Sequence, residues 1–224
     1  MRMPYTYDGL ERYYDLGRET DIPAFFKRLR EGAVVTTAQR NPAEIEEYFE
    51  PYLKQGNDIL HIAFSSKMSG TFSNECIARN ELLEKYPERR IELVDTLAIS
   101  MPLGQLVGVA LEMRRAGKSL DEIRDWVEDN KMKSCSLFAV DSLEYLRRGG
   151  RISNTAAFFG TALQLKPILT VGPDGLVVPV AKIKGQRKAI KYILEGCAST
   201  IEQPEDQTVY ICHADCPGDA SVLK

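Results

Sequence analysis

The apolar run Ile59 to Phe64 (ILHIAF) breaks off into a hydroxyl-rich loop, SSKMSGTFS, after which Phe72, Cys76, Ile77 and Leu83 fall at helical spacing. Strand, polar loop and helix follow one another here as half of a crossover unit. Ile91 to Val94 repeats the pattern: it ends at Asp95 and Thr96 and leads into an apolar helix, Leu103 to Arg115, that stops at Gly117. Ser119 with Glu122 then makes a capping box for a further helix through Ile123 and Trp126. Such alternation implies an α/β chain of parallel strands joined by crossover helices.

Two amphipathic helices precede this core. Asp21 is an N-cap before Pro23, with Ile22, Phe25, Phe26 and Leu29 on one face; Asn41-Pro42 opens the second helix, which closes at Gly56. The segment between them, VVTTAQR, is too polar for a core strand, and no strand is read before the first helix. The second half offers a strand at Leu137 to Val140, a short helix LEYLRR broken by Gly149-Gly150, and an apolar helix from Ala156 to Leu163. A β-hairpin follows around the four-residue loop Gly172 to Gly175, then a helix from Gln186 to Cys197, a strand from Thr208 to Cys212 and the first turn of another helix at Asp219. The expected architecture is therefore two α/β domains with mainly parallel sheets, residues 1–133 and 134–224, the second carrying the hairpin. Both ends read as cut: the first strand and the C-terminal cover of the last sheet are expected to be missing.

With 224 residues, 44% apolar and 27% charged, the chain can bury a sizeable core and is neither disordered nor fibrous. Twenty-nine basic against thirty-two acidic residues leave a net charge of −3, too little field for a general nucleic-acid binder. The five cysteines are odd in number and irregularly spaced, which points to a reducing cytoplasm. No apolar run approaches the roughly 18 residues of a membrane span, so contact with a membrane surface is expected to be transient at most.

Ser65-Ser66-Lys67-Met68-Ser69-Gly70-Thr71 is the densest candidate site. It lies where a strand ends and a helix begins, the edge of a parallel sheet at which free helix N–H groups receive anions. A capped helix start, with Ser69 or Thr71 satisfying the first turn, accounts for the same residues. Thr36-Thr37-Ala38-Gln39 also precedes a helix, and by itself reads as ordinary capping. The basic turn Arg147 to Arg151 is either a helix terminus or a receiver of phosphate. His61, inside an apolar strand, reads as a hydrogen-bonded core histidine. Cys212, His213, Asp215 and Cys216 lack the second ligand cluster of a zinc site, and no metal is expected. Phosphate-loop, dinucleotide and nucleophile-elbow motifs are absent from the sequence.

TTAQ, SSKMSGTFSN, VDT, DSLEYLRRGGRIS, LKPILTVGPDGLV and the Lys184 to Ala189 segment, in this order, resemble the DegV family. These are bacterial fatty-acid-binding proteins that serve as the binding subunit of fatty acid kinase. The resemblance runs from about Tyr7 to Asp215. It implies a two-domain α/β fold with one fatty acid in an apolar tunnel. It places Thr37 and Ser69 on the fatty-acid carboxylate, with Ser66, Gly70 and Thr71 as the supporting loop and Arg151 at the head group and kinase partner. Ala38 and Arg40 stand where the family usually has serine and proline. The family's opening Asp-Ser strand and closing H-T-G-P-G segment are not seen, and His213 does not replace the histidine of that segment.

The expected function is noncovalent binding of a long-chain fatty acid and its presentation to a separate kinase. The resulting acyl phosphate would pass to an acyltransferase for phospholipid synthesis, with no chemistry by the chain itself and no cofactor. Two alternatives are a serine-dependent hydrolase or acyltransferase using Ser69, and a regulatory module that senses a small anion.

Overall fold

The computed structural model of the chain describes residues 1–15, 17–152 and 165–223. The helix expected over Ala156 to Leu163 lies outside them. Strands β1 (Pro4–Tyr7) and β2 (Leu10–Tyr13) come first, then helix α1 (Ile22–Arg30), β3 (Val35–Thr37) and α2 (Pro42–Lys54). The expectation of no strand before the first helix is thus corrected. Asp8 and Gly9 both take left-handed φ, 51° and 74°, the conformation a two-residue hairpin turn requires. β1 pairs antiparallel with β2 on one side and with β3 on the other.

The crossover units appear as read: β4 (Ile59–Ala63), α3 (Thr71–Lys85), β5 (Ile91–Asp95), α4 (Ser100–Arg115) and α5 (Leu120–Asn130). β4 and β5 are parallel, Ile59 opposite Ile91 and Ala63 opposite Asp95. Alternation along both strands serves two cores. Ile59, Ile91 and Leu93 pack with Ile45, Phe49, Leu53, Ala78 and Leu82 of α2 and α3; Leu60, Ile62 and Val94 pack with Ala110, Ile123 and Val127 of α4 and α5. A strand pair covered on both faces by helices must be apolar throughout, which is why ILHIAF carries no polar face. The capping signals hold: Asp21 accepts from Ala24 N–H, and Asn41 with Glu44 and Ser119 with Glu122 form capping boxes.

The remaining elements are β6 (Phe138–Ala139), α6 (Glu144–Arg148), β7 (Leu165–Val171), β8 (Val177–Lys184), α7 (Gln186–Thr200), a 3₁₀ turn at Pro204–Asp206 and α8 (Pro217–Val222). β6, β7 and β8 form an antiparallel sheet. Its neighbouring residues Ile168 and Leu169 face opposite ways. Ile168 meets Ala189 and Ile193 of α7, whereas Leu169 joins Val177, Leu143, Ile152 and, from the β4–α3 loop, Met68.

Two expectations are corrected. Parallel pairing is confined to β4–β5 among the described residues, so the sheets are not mainly parallel. The β1–β2 and β7–β8 links are tight turns, which can only reverse the chain, while parallel neighbours need a crossover. Thr208 to Cys212 is not a strand: it pairs with no neighbour among the described residues, and Val209 is 62% exposed. Among the described residues its β-formers have no flanking strand on which their propensity can act.

Long-range polar contacts tie α1 to the second half. Arg30 Nη2 lies 2.5 Å from Asp215 Oδ2, and Tyr145 donates its hydroxyl hydrogen to the Leu29 carbonyl at 3.2 Å.

Candidate functional site

Three segments singled out in the sequence meet at the carboxyl end of β4. The first is the loop itself. Ser65 is fully buried and donates to the Gly175 carbonyl of the β7–β8 turn at 2.9 Å. Gly175 has φ +76°, and a Cβ there would fall 2.7 Å from Ser65 Oγ and 3.1 Å from Leu97 Cβ, so this close approach requires glycine. The N–H of Ser66 donates to Asp95 Oδ1 at 3.1 Å, as does that of Leu97 at 3.1 Å. Ser65 and Ser66 are therefore fixed by the β7–β8 turn and by the β5 end.

Ser69 and Thr71 remain half-buried. Their hydroxyls lie 2.9 Å apart, and Ser69 Oγ accepts from Thr71 N–H at 3.2 Å. Gly70 is the N-cap of α3 and makes no side-chain cap. Two hydroxyls and the N-terminus of a 15-residue helix thus share one corner, the chemistry that favours an anion.

The second segment is TTAQ. Thr37 ends β3 opposite Tyr5 and is exposed. From the same loop Gln39 reaches across to Gly70: a methyl group at Gly70 would coincide with Gln39 Oε1 and lie 3.2 Å from its Cδ. Asn74, one turn into α3, donates to the Arg40 carbonyl at 2.6 Å. Gln39 and Asn74 join the Thr37 loop to the Ser69 loop, and neither stood out in the sequence as a site residue. Gly70 has φ −70°, open to any residue, so steric room for Gln39 explains the glycine.

The third segment is the basic turn. Arg147 and Arg148 both bind Glu144, at 2.7 and 2.8 Å, and these two arginines, Arg147 foremost, pull the Glu144 carboxyl down to about 2. Arg151 behaves differently. Its Nε donates to the Met68 carbonyl at 3.2 Å and its Nη1 to the Gly149 carbonyl, and no carboxylate pairs with it among the described residues. Among the described residues, then, a guanidinium with no carboxylate partner rests on the carbonyl of the residue before Ser69.

His61 is the core histidine expected, its Nε2 2.9 Å from Oε1 of the buried Glu75 and its ring against Phe49. His213 Nδ1 accepts from Cys216 N–H at 3.3 Å, and no group of three or more metal-ligating side chains gathers among the described residues. Cavities of about 450 and 210 Å³ lie at the β1–β2 hairpin; neither is lined by Thr37, Ser69 or Arg151, so the apolar tunnel implied by the resemblance is not one of them. No described helix is long and apolar enough to cross a membrane.

Known proteins resemble this chain over nearly its whole length. A family model described as uncharacterised proteins of the DegV family matches residues 2–224. A DegV domain-containing protein of Clostridium perfringens is 46% identical over 216 residues, which cover 96% of this chain and 74% of that protein. The solved structure of a DegV family protein from Thermus thermophilus, described by its fatty acid binding, is 30% identical with a TM-score of 0.76, covering 90% of this chain and 70% of that one. The Streptococcus pneumoniae fatty acid kinase B3 protein, solved loaded with linoleic acid, shares the fold at 18% identity, with a TM-score of 0.77 and coverage of 88% and 69%.

Proposed function

The chain belongs to the DegV family, and from that membership we propose that it binds a long-chain fatty acid noncovalently and presents its carboxylate to a separate kinase. The observation that carries this reading is the position of Arg151, a guanidinium whose hydrogen bonds among the described residues go to backbone carbonyls, beside the loop of Ser69. A carboxylate taken from water needs hydrogen bonds in return. Ser69 and Thr37 donate them, with Ser66, Gly70 and Thr71 shaping the loop, and each methylene of the tail contributes about 0.8 kcal/mol when buried. Once the kinase adds a phosphate, Arg151 meets the new charge with a planar fork of donors. The Thermus relative, at 30% identity, supports the fatty acid, and the fold shared with the kinase B3 protein supports the kinase.

The acyl phosphate then passes to an acyltransferase in the cytoplasm. The chain acts as a carrier of two units that meet near Ser134, and performs no chemistry itself. Ser69 as a nucleophile would need a base. Its hydroxyl bonds only the amide and hydroxyl of Thr71 among the described residues.

Native mass spectrometry of the protein purified from cells tests the carrier. A retained mass of one fatty acid, removed by delipidation and restored by titration, is the expected result. A protein that carries no lipid and takes none up overturns the reading, and an acyl adduct on Ser69 after incubation with an activated ester would replace it with the enzyme.

A further inference from the structure

The cavity of about 450 Å³ lies between the β1–β2 hairpin and α1 and is lined by none of Thr37, Ser69 and Arg151. Its size is that of a small-ligand pocket. Tyr5, Tyr7, Tyr13 and Phe25 supply aromatic walls. Tyr5 meets Phe25 edge-on at 6.1 Å and Tyr7 lies 5.6 Å from the same ring, so the wall is a packed cluster rather than loose side chains. Arg40 braces it from the α2 side: its guanidinium lies 4.8 Å from the Tyr13 ring centroid, pairs with Glu44 at 2.7 Å and donates to the Arg2 carbonyl.

Charge in the pocket is unevenly committed. Asp15 is saturated, its oxygens accepting from the N–H groups of Gly17, Glu19 and Thr20 and from the Thr20 hydroxyl. Asp21 caps α1, and Arg28 is paired with Asp8 and Glu31. Arg2 and Arg12, by contrast, have no carboxylate in ion-pair reach among the described residues, and Arg12 rests over the Tyr7 ring at 5.5 Å. The adjoining cavity of about 210 Å³ adds Arg18, also without a carboxylate partner among the described residues. Aromatic walls with uncommitted guanidinium groups favour a flat ring joined to an anion.

We infer that the β1–β2 hairpin and α1 form a second binding site, separate from the Ser69 corner, for a small anion carrying an aromatic ring, of the nucleoside-phosphate class. The ring packs on the tyrosine and phenylalanine walls, and the phosphate takes Arg12 and Arg2. Glu19, at the rim, opposes it.

Titration of the whole protein with adenosine monophosphate, adenosine and inorganic phosphate, followed by calorimetry and amide chemical shifts, tests this. Adenosine monophosphate should saturate, with shifts centred on Tyr5, Thr20 and Ala24, and adenosine or phosphate alone should bind at least about tenfold more weakly. Arg12→Ala should weaken the nucleotide about tenfold or more, Glu19→Gln should tighten it, and Arg114→Ala, on the far helix, should change nothing. The wild-type shift map does not depend on any variant folding. No saturable binding, shifts at Ser69 to Thr71 instead, phosphate binding as tightly as the nucleotide, or unchanged affinity in Arg12→Ala would each overturn the site.

Discussion

The Gln39 side chain occupies the space that a Cβ at Gly70 would need, so the loop after β3 and the loop after β4 are held in register by a missing methyl group. The backbone at Gly70, with φ −70°, would accept alanine. Gly70→Ala should therefore cost less than about 1 kcal/mol of stability, because only the end of a flexible side chain must swing away, yet it should weaken fatty-acid binding by moving the Thr37 loop. In a Gln39→Ala background the same change should have no further effect on affinity. Melting curves and calorimetric titration of delipidated protein with oleate across this double-mutant cycle would decide it, and additive losses would dissociate the two residues.

On the proposed function, Ser69→Ala and Thr37→Ala each remove one donor to the fatty-acid carboxylate. Each should lower affinity by about 1.5–3 kcal/mol with little change in melting temperature. Unchanged affinity in both variants would take them out of the site.

Arg151→Ala should leave fatty-acid affinity nearly intact while slowing acyl-phosphate formation by the partner kinase. Arg151→Lys should not restore the rate, since an ammonium cannot reproduce the fork that spans a phosphate. A steady-state assay at subsaturating carrier reads both, and an unaffected rate would return the turn to a purely structural role.

Ser65→Ala, four residues from Ser69, should do the opposite. Its buried hydroxyl serves only the protein, and its loss strands the Gly175 carbonyl, at about 1–3 kcal/mol of stability. Denaturant unfolding should show the loss, and a variant as stable as the parent would mean that the β7–β8 turn does not lean on the β4 loop.

Asp15 gives a pH signature. Burial pushes its carboxyl upward, but hydrogen bonds from the N–H groups of Glu19, Gly17 and Thr20 and from the Thr20 hydroxyl outweigh this and hold it at about 2, against 3.8 for the free group. A carboxyl depressed in the folded state contributes fully above 3.8 and loses its contribution as pH falls through about 2. Between those values the wild type should lose melting temperature faster than Asp15→Asn, and the gap between them should close at the acid end. Parallel curves would show that the α1 entry loop does not depend on the charge.

The parts of the fold that rest on local signals were legible. Asp21, Asn41 and Ser119 announced their helices because a cap is a short-range hydrogen bond, and ILHIAF announced a strand covered on both faces. The Asp8-Gly9 turn carries an equally local signal, but the strand that follows it is exposed at every residue and so offers no alternating apolar face to mark it. Pairing was harder. Whether Val209, Tyr210 and Ile211 join a sheet depends on a neighbour far away in sequence, and residue types cannot supply one. At the candidate site, the motif resemblance pointed to the loops of Thr37, Ser69 and Arg151, whereas the contacts that join these loops to their neighbours, Gln39 on Gly70, Asn74 on Arg40 and Ser65 on Gly175, link residues from 31 to 110 positions apart, and no local pattern signals them.

Met68, the residue immediately before Ser69, is anchored among Leu143, Ile152, Leu169 and Val177, on the face of the β6–β7–β8 sheet turned away from α7. The loop that carries Ser69 thus starts from β4 and is anchored through Met68 on the β6–β7–β8 sheet, so its geometry depends on that packing. A ligand that binds this loop acts as a clamp: its free energy of binding is added to that of the packing. If a ligand binds at Ser69 and Thr71 as proposed, amide hydrogen exchange at Leu169 and Val177, distant in sequence from those hydroxyls, should slow as occupancy rises, so that these two strands report occupancy.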